Sequence, residues 1–223
     1  MLYFFGAIAA FLQPISGDIS AKNVAKYQPA KLAAMESLFE TSKPAALIIG
    51  GIPNVEKQEV KYAIKIPALL SFMAHGDFKA EVIGLDRFEK KDWPPVRIVH
   101  FAFQFMVFFG ILMLVAGIIY FIFRFKKTDI REKKWWLRTL VCLTPVGFLA
   151  VECGWIVTEV GRQPWIIYGI MKTKDALTPM PGIIYTFSLI TLTYVLLSFV
   201  VFWLLQRQIK VLNESHENNH NTH

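Results

Sequence analysis

The stretch Gly154 to Trp165, GWIVTEVGRQPW, sets a carboxylate (Glu159), a guanidinium (Arg162) and two tryptophans (Trp155 and Trp165) at one end of a run that is otherwise apolar enough for a lipid bilayer. Ionisable groups at membrane depth are expensive, and where they occur they line a cofactor site, an ion path or a buried pair. On a helix, Glu152, Trp155 and Glu159 fall at i, i+3 and i+7 and share a face that Arg162 extends, so the spacing predicts a polar stripe turned inward near one membrane surface. Two chemistries are open to it. A Glu–Arg pair at i, i+3 caps a helix end, which Gly161 and Pro164 are suited to terminate; alternatively, the carboxylate acts on something held in the membrane.

Met106 lies mid-span among Phe101, Phe103, Phe105, Phe108 and Phe109. A thioether in such company serves either as core filler or as an axial ligand of a haem iron, which accepts a Met/His pair. His100, six residues earlier and on a different face, is not a natural second ligand for the same iron. Residues Pro29 to Glu40 read as a helix whose apolar stripe is Leu32, Met35, Leu38 and Phe39, with Lys31 and Glu36 off that stripe, as on an amphipathic helix lying on its neighbours. No Gly-rich phosphate loop, CxxC pair, HExxH or GxSxG is present, which leaves hydrolase and nucleotide chemistry unsupported. The terminal NESHENNHNTH holds three of the five histidines and suits weak metal binding or, given its polarity, a disordered tail.

The elements that must position these residues are membrane helices. With 54% hydrophobic residues and a mean hydropathy of +0.41, the chain is too apolar for an ordinary soluble domain. The net charge of +7 sits beside hydrophobic spans, where the positive-inside rule accounts for it and nucleic-acid binding is excluded. Leu2 to Leu12 is apolar but shorter than the ~20 residues a span needs. It reads as a signal peptide or, since no basic segment precedes it, as the far part of a truncated helix ended by Gln13, Pro14 and Gly17. A charged, Pro- and Gly-punctuated loop domain follows from Asp18 to Arg97, and Trp93, Pro94 and Pro95 set the re-entry into the membrane.

Ile98–Phe123, Leu137–Val160 (with Pro145 as a potential kink) and Ile183–Leu205 are full spans, the first with His100 and Gln104 as its only strongly polar residues. Between the first two, Arg124 to Arg138 carries seven Lys/Arg against Asp129 and Glu132, and Arg207 and Lys210 follow the third; both mark the cytoplasmic side. Counting crossings from there puts the loop domain and the Glu159–Pro181 connection together on the outer face. The expected fold class is an all-α, polytopic transmembrane helix bundle, three full spans plus a partial N-terminal one, with a large outer-face loop. Its organisation is a partial helix at 1–16, an outer loop at 17–97, a three-helix membrane region at 98–206 and a disordered cytoplasmic tail at 207–223. Cys142 and Cys153 share one span, about 16 Å apart along its axis, and cannot bridge.

Three separated motifs in order, GDISAKNVAKYQPAKLAAME at Gly17–Glu36, FAFQFMVFFG at Phe101–Gly110 and GWIVTEVGRQPW, closely resemble subunit I of cytochrome bd quinol oxidase, and match the C-terminal half of that subunit. The resemblance implies a catalytic subunit of a bacterial inner-membrane terminal oxidase that oxidises quinol at the outer face and reduces dioxygen to water through haem b558, haem b595 and haem d. It implies that Lys31 and Glu36 serve quinol oxidation in a quinol-binding loop at 17–97. It further implies that Met106 ligates the low-spin haem b iron and Glu159 a high-spin haem iron, that Arg162 neutralises haem propionates or a nearby carboxylate, and that Trp155 lies beside the haems. The expected partners are subunit II, the N-terminal half of subunit I, quinol, dioxygen and membrane lipid. The imidazole partner of Met106 and the other haem-ligating histidine are expected on helices that would precede residue 1. Gln104 stands where some family members carry Arg. The competing expectations are a non-catalytic truncated remnant or assembly partner of the oxidase, and a transporter whose Glu–Arg pair matches by chance.

Overall fold

The computed structural model describes residues 2–127, 130, 133–177 and 181–220, so Asp129 and Glu132 of the basic connection and His223 of the tail lie outside the described residues. Helix α1 spans Leu2–Tyr27 and α2 spans Pro29–Met35. Two antiparallel hairpins interleave next: β1 (Leu47–Ile49) pairs with β4 (Ile64–Ile66), and β2 (Ile52–Asn54) with β3 (Glu59–Lys61). Helix α3 (Leu69–His75) completes the segment before α4 (Val96–Phe125) and α5 (Lys134–Val160). A short hairpin, β5 (Trp165–Ile167) with β6 (Met171–Lys172), follows α5. Residues to Ala176 form one compact unit, and a second unit from Leu177 contains α6 (Ile183–His220).

Among the described residues four helices, α1, α4, α5 and α6, are long and apolar enough to cross a membrane. In α1, α4 and α5 most side chains of the apolar stretch face outward, the inverse of a soluble bundle and what a hydrocarbon solvent demands. The first helix differs from the sequence expectation. It is 26 residues long rather than partial, and Pro14 and Gly17 lie inside it. A proline removes one intrahelical N–H, which membrane helices tolerate where neighbours support them. Beyond Pro14 an Asp18–Lys22 pair at 2.6 Å and the packing of Ala25 into the core sustain the helix to Tyr27. At its other end α1 meets α4 through small residues, with Gly117 facing Ala7 and Ala10, and through rings of Phe4 and Phe11 on Phe121.

Two other boundaries differ. The Pro29–Glu40 helix stops at Met35, because Ser37 adopts a left-handed conformation (φ 50°) that an α-helix cannot continue through. Residues 207–220, expected as a disordered tail, extend α6 in helical conformation; Gln206, Gln208, Lys210 and Leu212 are all good helix formers that prolong the apolar span. The expected stops hold elsewhere: α4 begins directly after Pro94 and Pro95, and Gly161 caps α5. Cys142 and Cys153 are both free on α5.

The buried core lies where the loop segment meets the first turns of α4 and the last of α5. Leu32, Met35, Leu38 and Phe39 of the predicted stripe pack there with Ala45, Leu70, Val82, Leu85, Val99 and Val157. One hydroxyl ties three parts of that segment: Ser71 Oγ accepts from Ala45 N at 2.8 Å and donates to Ala80 O at 2.7 Å, fully buried. Ser71→Ala strands both groups. Thermal denaturation of the purified protein in detergent should show a loss of about 1–3 kcal/mol in the stability of this segment.

Candidate functional site

Helix α5 meets α4 through its smallest residue. A Cβ placed on Gly154 would stand 3.2 Å from Met106 Sδ, so the glycine opens a notch in which the thioether sits between the two helices. Val157, one turn on, is buried in the core, and these two residues define the inward face of α5. The Glu152, Trp155 and Glu159 stripe is turned away from the Gly154–Met106 contact: Trp155 is 63% exposed and the Glu159 side chain 42% exposed. Glu159 lies five residues beyond Gly154, a rise of about 7.5 Å toward the end of the helix.

Arg162 Nη2 donates to Glu159 Oε2 at 2.5 Å. This is the i, i+3 pair predicted, and it leaves Oε1 as an acceptor without that partner. Lys31, on α2, reaches the same place. Its Nζ donates to Thr158 O at 3.4 Å, and its stem packs on Gly161, where an added Cβ would lie 3.2 Å from its Cε and press on the Val157 carbonyl oxygen. Burial lowers the ammonium's pKa, the positive charge of Arg162 lowers it further, and Glu159 opposes both. Lys31, Glu159 and Arg162 thus form one electrostatic group, assembled from residues 128 positions apart in sequence between Lys31 and Glu159.

Glu36 has a different neighbourhood. It caps α2, is 2% exposed, and its carboxyl is hydrogen-bonded with the Ile48 main chain. Desolvation raises its pKa to about 8, with the Ile48 bond acting the other way. Its second oxygen, Oε2, is buried with no hydrogen-bond partner among the described residues. Orphaned buried acceptors are uncommon and call for an explanation in function or in a bound group. Two further ties bring the post-α5 hairpin to the same end as the loop segment: Lys172 pairs with Asp92 and lies over the Trp165 ring, and Tyr168 shares a hydrogen bond with the Ala30 main chain. Neither was flagged from sequence, since a Lys–Asp pair 80 residues apart leaves no local pattern.

The donor set at the α4–α5 junction can be tested against a haem iron. A thioether in a glycine notch and a carboxylate whose Oε1 is not taken by Arg162, flanked by that guanidinium and an exposed indole, fit the thioether and anionic ligands that iron accepts and the cations that propionates require. Among the described residues no group of three or more His, Cys, Asp or Glu forms a separate metal cluster.

A multi-span helical membrane protein with iron-type donors on two packed helices and a structured loop segment over their ends is the class that fold and site define. The sequence matches the family "Cytochrome bd terminal oxidase subunit I" over residues 1–212, and the chain belongs to that family. It is 38% identical over 90% of its length to a protein of Bacillus subtilis (strain 168) assigned as a cytochrome bd menaquinol oxidase subunit I, covering 45% of that relative. It is 32% identical over 92% of its length to the cytochrome bd ubiquinol oxidase subunit 1 of the same organism, covering 46% of it. The solved structure of bd oxidase from Geobacillus thermodenitrificans superposes with a TM-score of 0.78 and 37% identity over 92% of this chain and 47% of that one. The chain therefore spans about half the length of the relatives it matches.

Proposed function

We propose that this chain is the part of the catalytic subunit of a cytochrome bd-type quinol:oxygen oxidoreductase that carries the quinol-oxidising loop and the donors for two haem irons. The observation that carries the reading is the outward-facing Glu159–Arg162 pair on a lipid-length helix, joined by Lys31 from the loop segment. Such a face is ill suited to lipid, because ionisable residues on membrane helices turn to a bundle interior, a partner or a bound group. A bound group and the remainder of the enzyme are what it suits.

In this reading residues 17–97 form the quinol-binding loop on the outer, periplasmic side of the bacterial inner membrane, residues 98–206 the haem-binding helices, and the end of the chain lies in the cytoplasm. Met106 would hold the iron of low-spin haem b558 and Glu159 that of high-spin haem b595, with haem d completing the set. Bound there, the haems supply the electron carriers and the centre at which dioxygen becomes water. Arg162 orients Glu159 through its hydrogen bond and is placed to neutralise a propionate, while Trp155 offers a flat apolar face beside them. Glu36 accepts a proton from quinol and Lys31 hydrogen-bonds its oxygen. Subunit II, the rest of subunit I, quinol, dioxygen and lipid are the partners. Relatives named for menaquinol and for ubiquinol are both similar to this chain, and the loop chemistry serves either quinol.

The test is quinol-driven oxygen uptake by membranes in which the chain is assembled with the rest of the oxidase. Glu159→Ala should lower uptake about 100-fold or more, since loss even of an outer-shell partner of a metal ligand has effects of 10–100-fold. Unchanged uptake would instead favour a non-catalytic assembly partner.

A further inference from the structure

The two polar residues that the first full span carries, His100 and Gln104, have no part in the site so far, yet both are committed to the loop segment. Gln104 Nε2 donates to Ile48 O at 3.0 Å, and its Oε1 accepts from Gly50 N at 3.1 Å. His100, fully buried, places Nδ1 2.9 Å from Met35 O and Nε2 3.2 Å from Gly50 O; both partners are acceptors, so whichever nitrogen carries hydrogen donates. One turn earlier, Arg97 Nε donates to Pro53 O at 3.2 Å.

Positions 97, 100 and 104 follow i, i+3 and i+7 and therefore form one stripe of α4. Ile48 is the middle residue of β1, and Gly50, with a left-handed φ of 68°, stands just past its end. The β1–β4 sheet has two strands, so the edge of β1 away from β4 would otherwise offer unpaired N–H and C=O groups. Gln104 covers that edge at the Ile48 carbonyl and the Gly50 amide, His100 reaches the Met35 and Gly50 carbonyls beside it, and Arg97 holds the Pro53 carbonyl of β2.

Two of these bonds bear directly on Glu36. The Met35 carbonyl held by His100 belongs to the peptide that leads into Glu36, and the Ile48 residue held by Gln104 is the main-chain partner of the Glu36 carboxyl. Both the origin of the carboxyl and the group that orients it are pinned to α4. Met106 lies two residues beyond Gln104, and on the opposite side of the helix, against Gly154. A single rigid helix consequently fixes the buried carboxyl on one face and the thioether on the other.

We propose that Arg97, His100 and Gln104 form a bracket whose role is to hold the Glu36 carboxyl, with its free Oε2, in register with the donor side of α4, making Gln104 and His100 positioning residues for quinol oxidation. The inference rests on the reading of Glu36 as the quinol's proton acceptor. Its structural half stands apart from that reading and is measured separately.

The experiment has two arms, both on the assembled oxidase. In hydrogen exchange, Gln104→Leu should raise the exchange of the Gly50 amide about ten-fold or more, while amides of the β2–β3 hairpin keep their wild-type rates. In oxygen uptake, the same variant should lower kcat/KM for quinol about ten-fold or more, with uptake from an artificial one-electron donor and the reduced haem spectrum unchanged; Gln104→Asn, which shortens the arm but keeps the amide, should fall between. His100→Gln serves as the second variant should Gln104→Leu fail to assemble. An unaltered Gly50 amide, or altered exchange with unaltered quinol kinetics, overturns the bracket. Failure of the underlying reading has another signature: Glu36→Gln would then leave quinol kinetics at wild-type values.

Discussion

Glu36→Gln is expected to lower quinol-driven oxygen uptake by about 100-fold or more, the range in which loss of a positioned general base falls. The substitution keeps volume and a hydrogen-bond partner for Ile48 while removing the ionisable oxygen, so the burial of residue 36 is preserved. Burial holds the carboxyl's pKa at about 8, which makes its ionised form a stronger base than an ordinary surface carboxylate. The sign of the pH dependence follows. Only the ionised form accepts a proton, so in the wild type uptake should climb as pH rises through about 8 and level above it. That limb should be absent in the glutamine variant. A stopped pH series of quinol oxidation rates for the two proteins checks both statements, and an identical limb in each would remove Glu36 from the role.

Met106→Leu carries the second large effect. Leucine matches methionine in volume and helix propensity, and the substitution removes the sulfur with little change to the α4–α5 contact at Gly154. The protein should therefore still assemble, but without the low-spin haem signal and with electron transfer from quinol reduced to background. Gly154→Ala is a useful companion, because its Cβ would press on the sulfur at 3.2 Å without removing it. It should shift the low-spin band or its midpoint potential rather than abolish it. Redox titration of the assembled oxidase separates these outcomes.

How much of this was legible in the sequence depends on whether the signal is local. Spans α4 and α5 and their ends were, because twenty or more apolar residues bounded by Pro94–Pro95 and by Gly161 state their own limits. The length of α1 was not. Pro14 and Gly17 are breakers in water, and their tolerance inside a membrane helix is set by neighbours that a window of sequence does not contain. The end of α2 was overrun for a similar reason: apolar periodicity continues through Leu38 and Phe39, while the left-handed turn at Ser37 redirects both into the core.

The site divides along the same line. The Glu159–Arg162 pair is an i, i+3 contact and was legible as a pair, while helical spacing says which residues share a face and nothing about which face packs against a given neighbour. Gly154 decides that question, through a contact with Met106 that no periodicity encodes. Lys31 and Glu36 stood out as a pair, but their separate partners, the Thr158 carbonyl for the lysine and the Ile48 main chain for the glutamate, are long-range contacts that no local pattern encodes. His100 and Gln104 stood out as polar residues in an apolar span, and their partners, main-chain groups 50 to 65 residues away, became visible only in the folded chain.

The most direct test of the central claim, that this chain supplies iron ligands from Met106 and Glu159, is the reduced-minus-oxidised difference spectrum of the purified, fully assembled oxidase carrying each substitution in turn. Met106→Leu should lose the low-spin haem b band and keep the high-spin features, and Glu159→Ala should do the reverse. Wild-type spectra from both variants, at equal protein, would contradict the assignment.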